Sequence, residues 1–322
     1  MPIVVRPATP GDRPSLLALF RTAFGADASA DEWAWKYDRC PHPSISVGAF
    51  DGTRALGFFG GLGTRLRGAA GDRPGVSAVD VMTDPAARTL GRRGLFQEVA
   101  EEFFRENGAA GAPFVLGFPN DRHRLAGERT LAYRSVEPAR QWTRPLPSAP
   151  PYRRSLRGRL LRRRRGPALS AGHDSLAEAV HARAGWRSDR SRQTLDWRFA
   201  ARPGVAYEMH ELLDLRGRSR AYASVRLAGE RALLVDLLAA DETSGEVVDL
   251  LDGIVEALRE TPARTLELRA GSASPLAARA GELGFSALAT DTHFTARALD
   301  SGFDVDSAAR AFDYRFLDHD VF

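Results

Sequence analysis

The sequence predicts an α/β (α+β) protein built as two domains, on three observations. First, 322 residues are most simply two domains of roughly 150 residues each, and a hydrophobic content of 43% allows a sizeable core in both. Second, stretches that alternate apolar and polar residues in period two are interleaved with stretches whose apolar residues recur at helical spacing. Third, a phrase recurs. Trp35-Lys36-Tyr37 has Pro41 six residues after its Trp, and Trp197-Arg198-Phe199 has Pro203 at the same offset; each precedes an apolar strand, Ile45 to Phe50 and Val205 to Leu213. A two-fold internal repeat accounts for this, with the aromatic residues read as core.

In order, Ile3 to Arg6 reads as a strand, and Leu16, Leu17, Leu19, Phe20 and Phe24 give the next helix an apolar face. A second helix covers Asp31 to Tyr37. Strands follow at Ser46 to Phe50, Ala55 to Leu66 and Val76 to Thr83, then a helix to about Asn107. Phe114 to Phe118 is a compact strand that Gly117-Phe118-Pro119-Asn120 stops abruptly. A further helical stretch and a strand from Tyr133 to Trp142 complete the first half. In the second half, strands are expected at Arg220 to Leu227, Ala232 to Ala239, Leu266 to Leu268 and Phe285 to Ala296, with helices at Gly245 to Leu258 and Pro275 to Leu283. Between the halves, Pro145 to Gly166 passes from prolines to the run Arg162 to Arg165, which reads as a linker or an exposed interdomain helix with a solvated charge run. The expected organisation is therefore residues 1–144, a Pro/Arg-rich linker 145–170, and residues 171–322.

Bulk properties exclude several classes. No segment approaches the roughly 20 apolar residues of a membrane span, and MPIVVRPATPGDR has no cationic start before an apolar run, so a cytoplasmic location is expected. A single cysteine, Cys40, excludes a disulfide framework. The seven histidines are scattered without ligand spacing, so no metal is expected. Net charge is +4, almost wholly from arginine, Lys36 being the sole lysine. The arginine run has no interleaved aromatic residues for base stacking, so nucleic acid is not the expected partner; an anion-binding role for it stays open.

The chemistry concentrates in SAVDVMTDPAARTLGRRGLFQEV, which is a strand, a turn around Gly91-Arg92-Arg93-Gly94 and the start of an amphipathic helix. Along the strand, Val79 and Val81 are expected on one face and Ala78, Asp80 and Met82 on the other. The glycines let backbone amides converge at a helix N-terminus, where the helix dipole adds to them, and this favours a diphosphate. Asp80 is the first candidate for a general base, and Glu32, His123 and Glu128 are further acid/base candidates. Asn120 reads as a helix cap. The matching connection in the second half, Ala239 to Gly245, is acidic and would repel a diphosphate.

VVRPATPGDRPSLLALFRTAF, VMTDPAARTLGRRGLFQEVAEEFF and FVLGFPNDRHRLAGERTLAYRSV resemble the opening, the acyl-CoA-binding strand-loop-helix and the following strand-helix of the GNAT (GCN5-related) N-acyltransferases. The second half resembles a degenerate GNAT-like repeat, so the chain is similar to tandem-GNAT proteins. The resemblance implies two domains, each a mixed, mostly antiparallel central sheet flanked by helices. It implies acetyl-CoA or another acyl-CoA as cosubstrate and no metal. Backbone amides around Val81, Met82 and Thr83 would meet the pantetheine arm, and Gly91, Arg92, Arg93, Gly94, Leu95 and Phe96 would surround the pyrophosphate, with Asn120 nearby. The tyrosine that often protonates the leaving thiolate falls near Glu128, and Pro85 is followed by an apparent insertion, Ala86 to Leu90. In some tandem relatives the chain end enters the site, which brings in Asp318, Asp320 and the carboxylate of Phe322. The implied partner is a small amine acceptor, such as an amino sugar or aminoglycoside, with a homodimer left open. A non-catalytic acyl-CoA sensor or assembly module is the competing reading.

Overall fold

A computed structural model describes residues 2–68, 71–91, 93–146, 160–182 and 185–319. It divides into two units, the first made of Met1–Leu66, Asp72–Glu137 and Thr292–Ala309, the second of Arg67–Gly71, Pro138–Asp291 and Arg310–Phe322.

The first unit contains β1 (Val4–Pro7), α1 (Arg13–Phe24), α2 (Ala30–Trp33) running into a π-helical turn Ala34–Asp38, β2 (Val47–Asp51), β3 (Arg54–Arg67), β4 (Arg73–Thr83), α3 (Leu95–Ala109), β5 (Phe114–Gly117), α4 (Asp121–Thr130) and β6 (Arg134–Pro138). Its sheet has the order β1-β2-β3-β4-β5-β15-β6, where β15 (His293–Ala298) arrives from far along the chain. Pairing is antiparallel from β1 to β4 and between β5 and β15, and parallel between β4 and β5. Neighbouring residues on a strand face opposite ways. Phe59 therefore joins the α3 side with Val99, Phe103 and Phe104, whereas Phe58 joins Leu16, Leu19 and Trp33 of α1 and α2.

The second unit contains β7 (Gln141–Pro145), β8 (Arg162–Gly166), α5 (His173–His181), β9 (Arg187–Ser188), α6 (Arg192–Leu195) running into a second π-helical turn Asp196–Ala200, β10 (Glu208–Leu213), β11 (Ser219–Ala228), β12 (Arg231–Ala239), α7 (Gly245–Leu258), β13 (Thr265–Arg269), α8 (Pro275–Ala278) and β14 (Ser286–Leu288). Its sheet order is β14-β7-β13-β12-β11-β10-β8, again with one parallel pair, β12 with β13.

The repeat is physical. Both Trp-containing phrases form a four-residue helix followed by a π-helical turn, and each helix is capped by a serine, Ser29 accepting from the Glu32 amide and Ser191 from the Thr194 amide. Helix α9 (Val305–Arg310) follows β15.

Four expectations need revision. The single strand expected at Tyr133 to Trp142 is two, β6 and β7, because Pro138 has no N–H to continue a ladder. Phe285 to Ala296 likewise divides into β14 and β15, so each sheet takes one strand from the other half of the sequence. The first unit accordingly ends at Glu137 and regains 292–309, unlike the expected limit at 144. Finally, the arginine run is the edge strand β8, paired with β10. Arg163 binds Asp252 and Glu256 of α7, Arg164 binds Glu211 and Arg165 binds Glu208. Residues 147–159 of the expected linker lie outside the described residues.

Candidate active site

The site is built where β4 and β5 part. Their parallel ladder holds only Val76↔Val115 and Ser77↔Leu116. Beyond Ser77, β4 continues to Thr83 against β3 alone among the described residues. A strand released on one edge leaves backbone amides and carbonyls open to a ligand.

A bulge lies in this released stretch. β3 and β4 pair as Gly60↔Val79 and then Phe58↔Met82, so Asp80 and Val81 together face Phe59. Asp80 takes φ +46, a left-handed conformation shared among the described non-glycine residues only by Ala132. The extra residue reverses the alternation expected from sequence. Val81 packs on the α3 side with Val76 and Ala78, while Met82 packs on the α1 side.

What stabilises the bulge is a buried ion pair. Lys36 and Tyr37 both come from the π-helical turn; Lys36 Nζ donates to Asp80 Oδ2 at 2.8 Å and Tyr37 Oη donates to the same oxygen at 2.5 Å. The Lys36 and Asp80 side chains are 11% and 12% exposed. A left-handed non-glycine residue costs about 1–2 kcal/mol, and hydrogen bonds to a charged partner contribute about 1.5–3 kcal/mol each, so the clamp outweighs the strain. Gly60 makes room for it, because a Cβ there would lie 2.5 Å from Tyr37 Oη and 2.6 Å from the Val79 carbonyl. The second unit repeats the arrangement with other residues. β12 bulges between Leu234 and Asp236, and Asp236 is neutralised by Arg190 at 2.9 Å and accepts from the Tyr222 hydroxyl.

Between β4 and α3 lies the glycine turn. Gly91 and Gly94 have φ +86 and +91, and Gly94 is the N-cap of α3, where the Gln97 and Glu98 amides bond its carbonyl. A Cβ on Gly91 would lie 2.7 Å from Glu98 Oε1, so that carboxylate rests against the turn. Arg93 is 63% exposed and bonds Glu101 at 2.9 Å; Arg92 lies outside the described residues. The side chains of Leu95 and Met82 are buried in the core, so only their backbone can serve a ligand, whereas Phe96 and Thr83 are half-buried.

On the other side of the opening, Asn120 caps α4 by accepting from the His123 amide at 3.0 Å, as expected. The His123 ring lies between Phe96 and Tyr133, centroids 5.7 and 6.1 Å away; its Nε2 is buried without a partner among the described residues, and burial pushes its pKa down. Glu128 is bound by Arg124 at 2.9 Å and accepts from Ser135, and these contacts hold it below the usual carboxylate range. It has no proton to offer a thiolate near neutrality. Glu32 is half-buried in the first turn of α2. Asp318 is committed to Arg190 at 2.8 Å in the second unit; Asp320 and Phe322 lie outside the described residues.

Sequence reading missed Lys36 and Tyr37 as the partners of Asp80, although a sole lysine among so many arginines was a usable signal. It also missed His293, which only the insertion of β15 brings to this sheet. No group of three or more His, Cys, Asp or Glu among the described residues could hold a metal ion, and no helix is long and apolar enough to cross a membrane.

Residues 4–125 match the family model of the acetyltransferase (GNAT) domain. No curated protein matches the chain in sequence. In fold, the chain is similar to an Enterococcus faecalis protein described as a "probable N-acyltransferase", with a TM-score of 0.71 and 13% identity over 93% of this chain and 73% of that one. A GCN5-related N-acetyltransferase from Anabaena variabilis follows at 0.68 and 10%, over 93% and 73%. A tandem GNAT protein from the clavulanic acid biosynthesis pathway aligns at 0.61 and 14%, over 94% of this chain and 100% of its own. The parted β4 and β5, the bulge and the glycine turn ahead of α3 lie inside the matched segment: residues 4–125 form a GNAT acetyltransferase domain, and the chain as a whole shares its fold with a tandem GNAT protein.

Proposed function

We propose that the chain transfers an acyl group, acetyl in the first instance, from acyl-CoA to a primary amine of a small acceptor such as an amino sugar or aminoglycoside. A single site in the first unit serves this reaction. The observation that carries the reading is the parting of β4 from β5 after Ser77↔Leu116, next to a glycine turn that opens α3.

Bound acyl-CoA supplies an electrophilic thioester. The residues present fit it: the released edge of β4 around Val81, Met82 and Thr83 offers backbone groups to an amide-bearing arm, and the amides of Gly94, Leu95 and Phe96 at the start of α3 with the exposed Arg93 offer a diphosphate site. In this reading Asp80 anchors the bulge and thereby aims the following amides. Its Oδ2 already accepts two hydrogen bonds, from Lys36 Nζ and Tyr37 Oη, which commits that oxygen to the clamp. Glu32 is better suited to attract a cationic amine than to bind CoA. The second unit supports this one by folding: its acidic connection is organised by Asp241, which accepts from the Thr243 amide at 2.9 Å, and no basic turn stands there.

The test is acetyl-CoA turnover, followed as released thiol, against a panel of amino sugars, aminoglycosides and simpler amines. Amine-dependent thiol release supports the reading. Tight binding of acetyl-CoA by calorimetry with no amine-dependent release would favour the non-catalytic sensor instead.

A further inference from the structure

β15 adds a chemical group to the first sheet. His293 opens this strand; its amide donates to the Pro119 carbonyl at 2.9 Å, and Thr292 bridges Asn120. Asp80 lies three residues beyond Ser77 on β4, and Pro119 three residues beyond Leu116 on β5. The two strands run parallel, so Pro119 stands level with Asp80 across the opening between β4 and β5, and His293, bonded to Pro119, stands at the same level one strand further on. The two side chains differ in one respect. Asp80 has its acceptor oxygen occupied, whereas His293 is held through one ring nitrogen only: Nε2 lies 2.7 Å from Asp121 Oδ1, and Nδ1 makes no hydrogen bond among the described residues. The His293 side chain is 16% exposed, so it is oriented yet open to a ligand.

We propose that His293, oriented by Asp121, is the proton acceptor for the amine. An aspartate on Nε2 fixes the neutral ring as the Nε2–H tautomer and leaves the Nδ1 lone pair bare. Nδ1 takes a proton from the acceptor ammonium; the nitrogen lone pair so released forms the new C–N bond; the C–S bonding pair leaves on sulfur as thiolate, which takes the second amine proton as the amide forms. The histidine returns its proton to solvent, and atoms and charge balance. The hydrogen bond to His293 also holds Asp121 below the usual carboxylate range, so the orienting group is ionised. The charged groups that interact with the ring are Asp121 and Glu128 on α4, both bound by Arg124; Arg297 on β15 and Arg134 and Glu137 on β6 are charged residues of the flanking strands.

The inference rests on the acyltransferase reading, and its experiment separates the two. His293→Gln in the full chain should lower kcat/KM for the amine about 10²-fold near neutrality, with acetyl-CoA affinity by calorimetry within twofold of wild type. The deficit should shrink as pH rises and the amine deprotonates unaided, and added imidazole should restore part of the turnover of His293→Gly. Independently of activity, nitrogen-15 shifts of the wild-type ring should show a bare Nδ1, lost as a fixed tautomer in Asp121→Asn. Wild-type turnover that His293→Gln leaves intact at every pH overturns this inference alone, as does a loss that tracks weakened acetyl-CoA binding. An Nδ1–H tautomer in the wild type also overturns it. A wild-type chain that binds acetyl-CoA yet acylates no amine overturns both readings.

Discussion

The sole lysine of the chain, Lys36, lies 2.8 Å from Asp80, the residue whose left-handed backbone makes the bulge of β4. The pair joins the π-helical turn to the strand that should carry the thioester. Removing one partner leaves the other charge buried, which typically costs about 3–5 kcal/mol, whereas replacing both by uncharged groups is often near neutral. Lys36→Met should therefore lower stability by about 3 kcal/mol in urea unfolding, and Lys36→Met with Asp80→Asn should recover most of it, since Asn accepts a left-handed backbone. Equal stability of Lys36→Met and wild type would remove the clamp from the account.

Gly91 backs onto Glu98, so the turn offered to a diphosphate carries a carboxylate of its own. Like charges at this range repel even when partly screened. Glu98→Gln should tighten acetyl-CoA binding about 3- to 10-fold by calorimetry, at a stoichiometry near one per chain. Arg93→Glu should weaken it with the fold intact, as Arg93 is exposed. Weaker binding by Glu98→Gln would mean that the carboxylate orders the turn rather than competing for it.

The first repeat was largely legible because its apolar periodicities are local: α1, β3, β4 and α3 lie close to where their patterns place them. The bulge was not legible. Period two gave no reason for Val81 to leave the face of Val79, since the extra residue is stabilised by Lys36 and Tyr37, more than forty residues away in sequence. His293 was hidden for a related reason. Nothing near residue 293 reports that β15 pairs with β5, because strand partners are chosen by the whole sheet. Arg162 to Arg165 misled in the opposite direction: a charge run reads as solvated unless its carboxylate partners, here Glu208, Glu211, Asp252 and Glu256, are known.

Those partners make the arginine run testable. The Glu211 side chain is fully buried and lies 2.6 Å from Arg164 Nη1. Arg164→Ser should destabilise the second unit by about 3 kcal/mol through the stranded carboxylate, and Arg162→Ser, on the exposed side of the same strand, should stay within about 0.5 kcal/mol. Differential scanning calorimetry of both variants decides this. Comparable Tm values would return the run to a solvated role.

Acid sensitivity of the second unit follows from its buried histidines. Burial pulls His181 down to about 3 against the smaller upward pull of Asp189, with Arg67, Arg190 and Arg187 also opposing its charge. Burial likewise pulls His210 down to about 4, helped by Arg165, with Glu208 3.4 Å from its Nε2. Both rings are thus neutral in the folded chain while free histidine titrates near 6.5. Between those values the unfolded chain binds more protons than the folded one, so stability is fully present above about pH 6.5 and is lost progressively as pH falls toward 4. The carboxylate of Asp313, held low by Arg187 and Arg315 despite its burial, adds a loss of the same sign at lower pH. Urea unfolding monitored by tryptophan fluorescence between pH 7.5 and 4.5 should show a fall of a few kcal/mol. His181→Gln with His210→Gln should flatten the upper part of that fall, above the range in which carboxylates titrate. A slope between pH 6.5 and 5 that the double variant leaves unchanged would place the acid-sensitive protons on other groups.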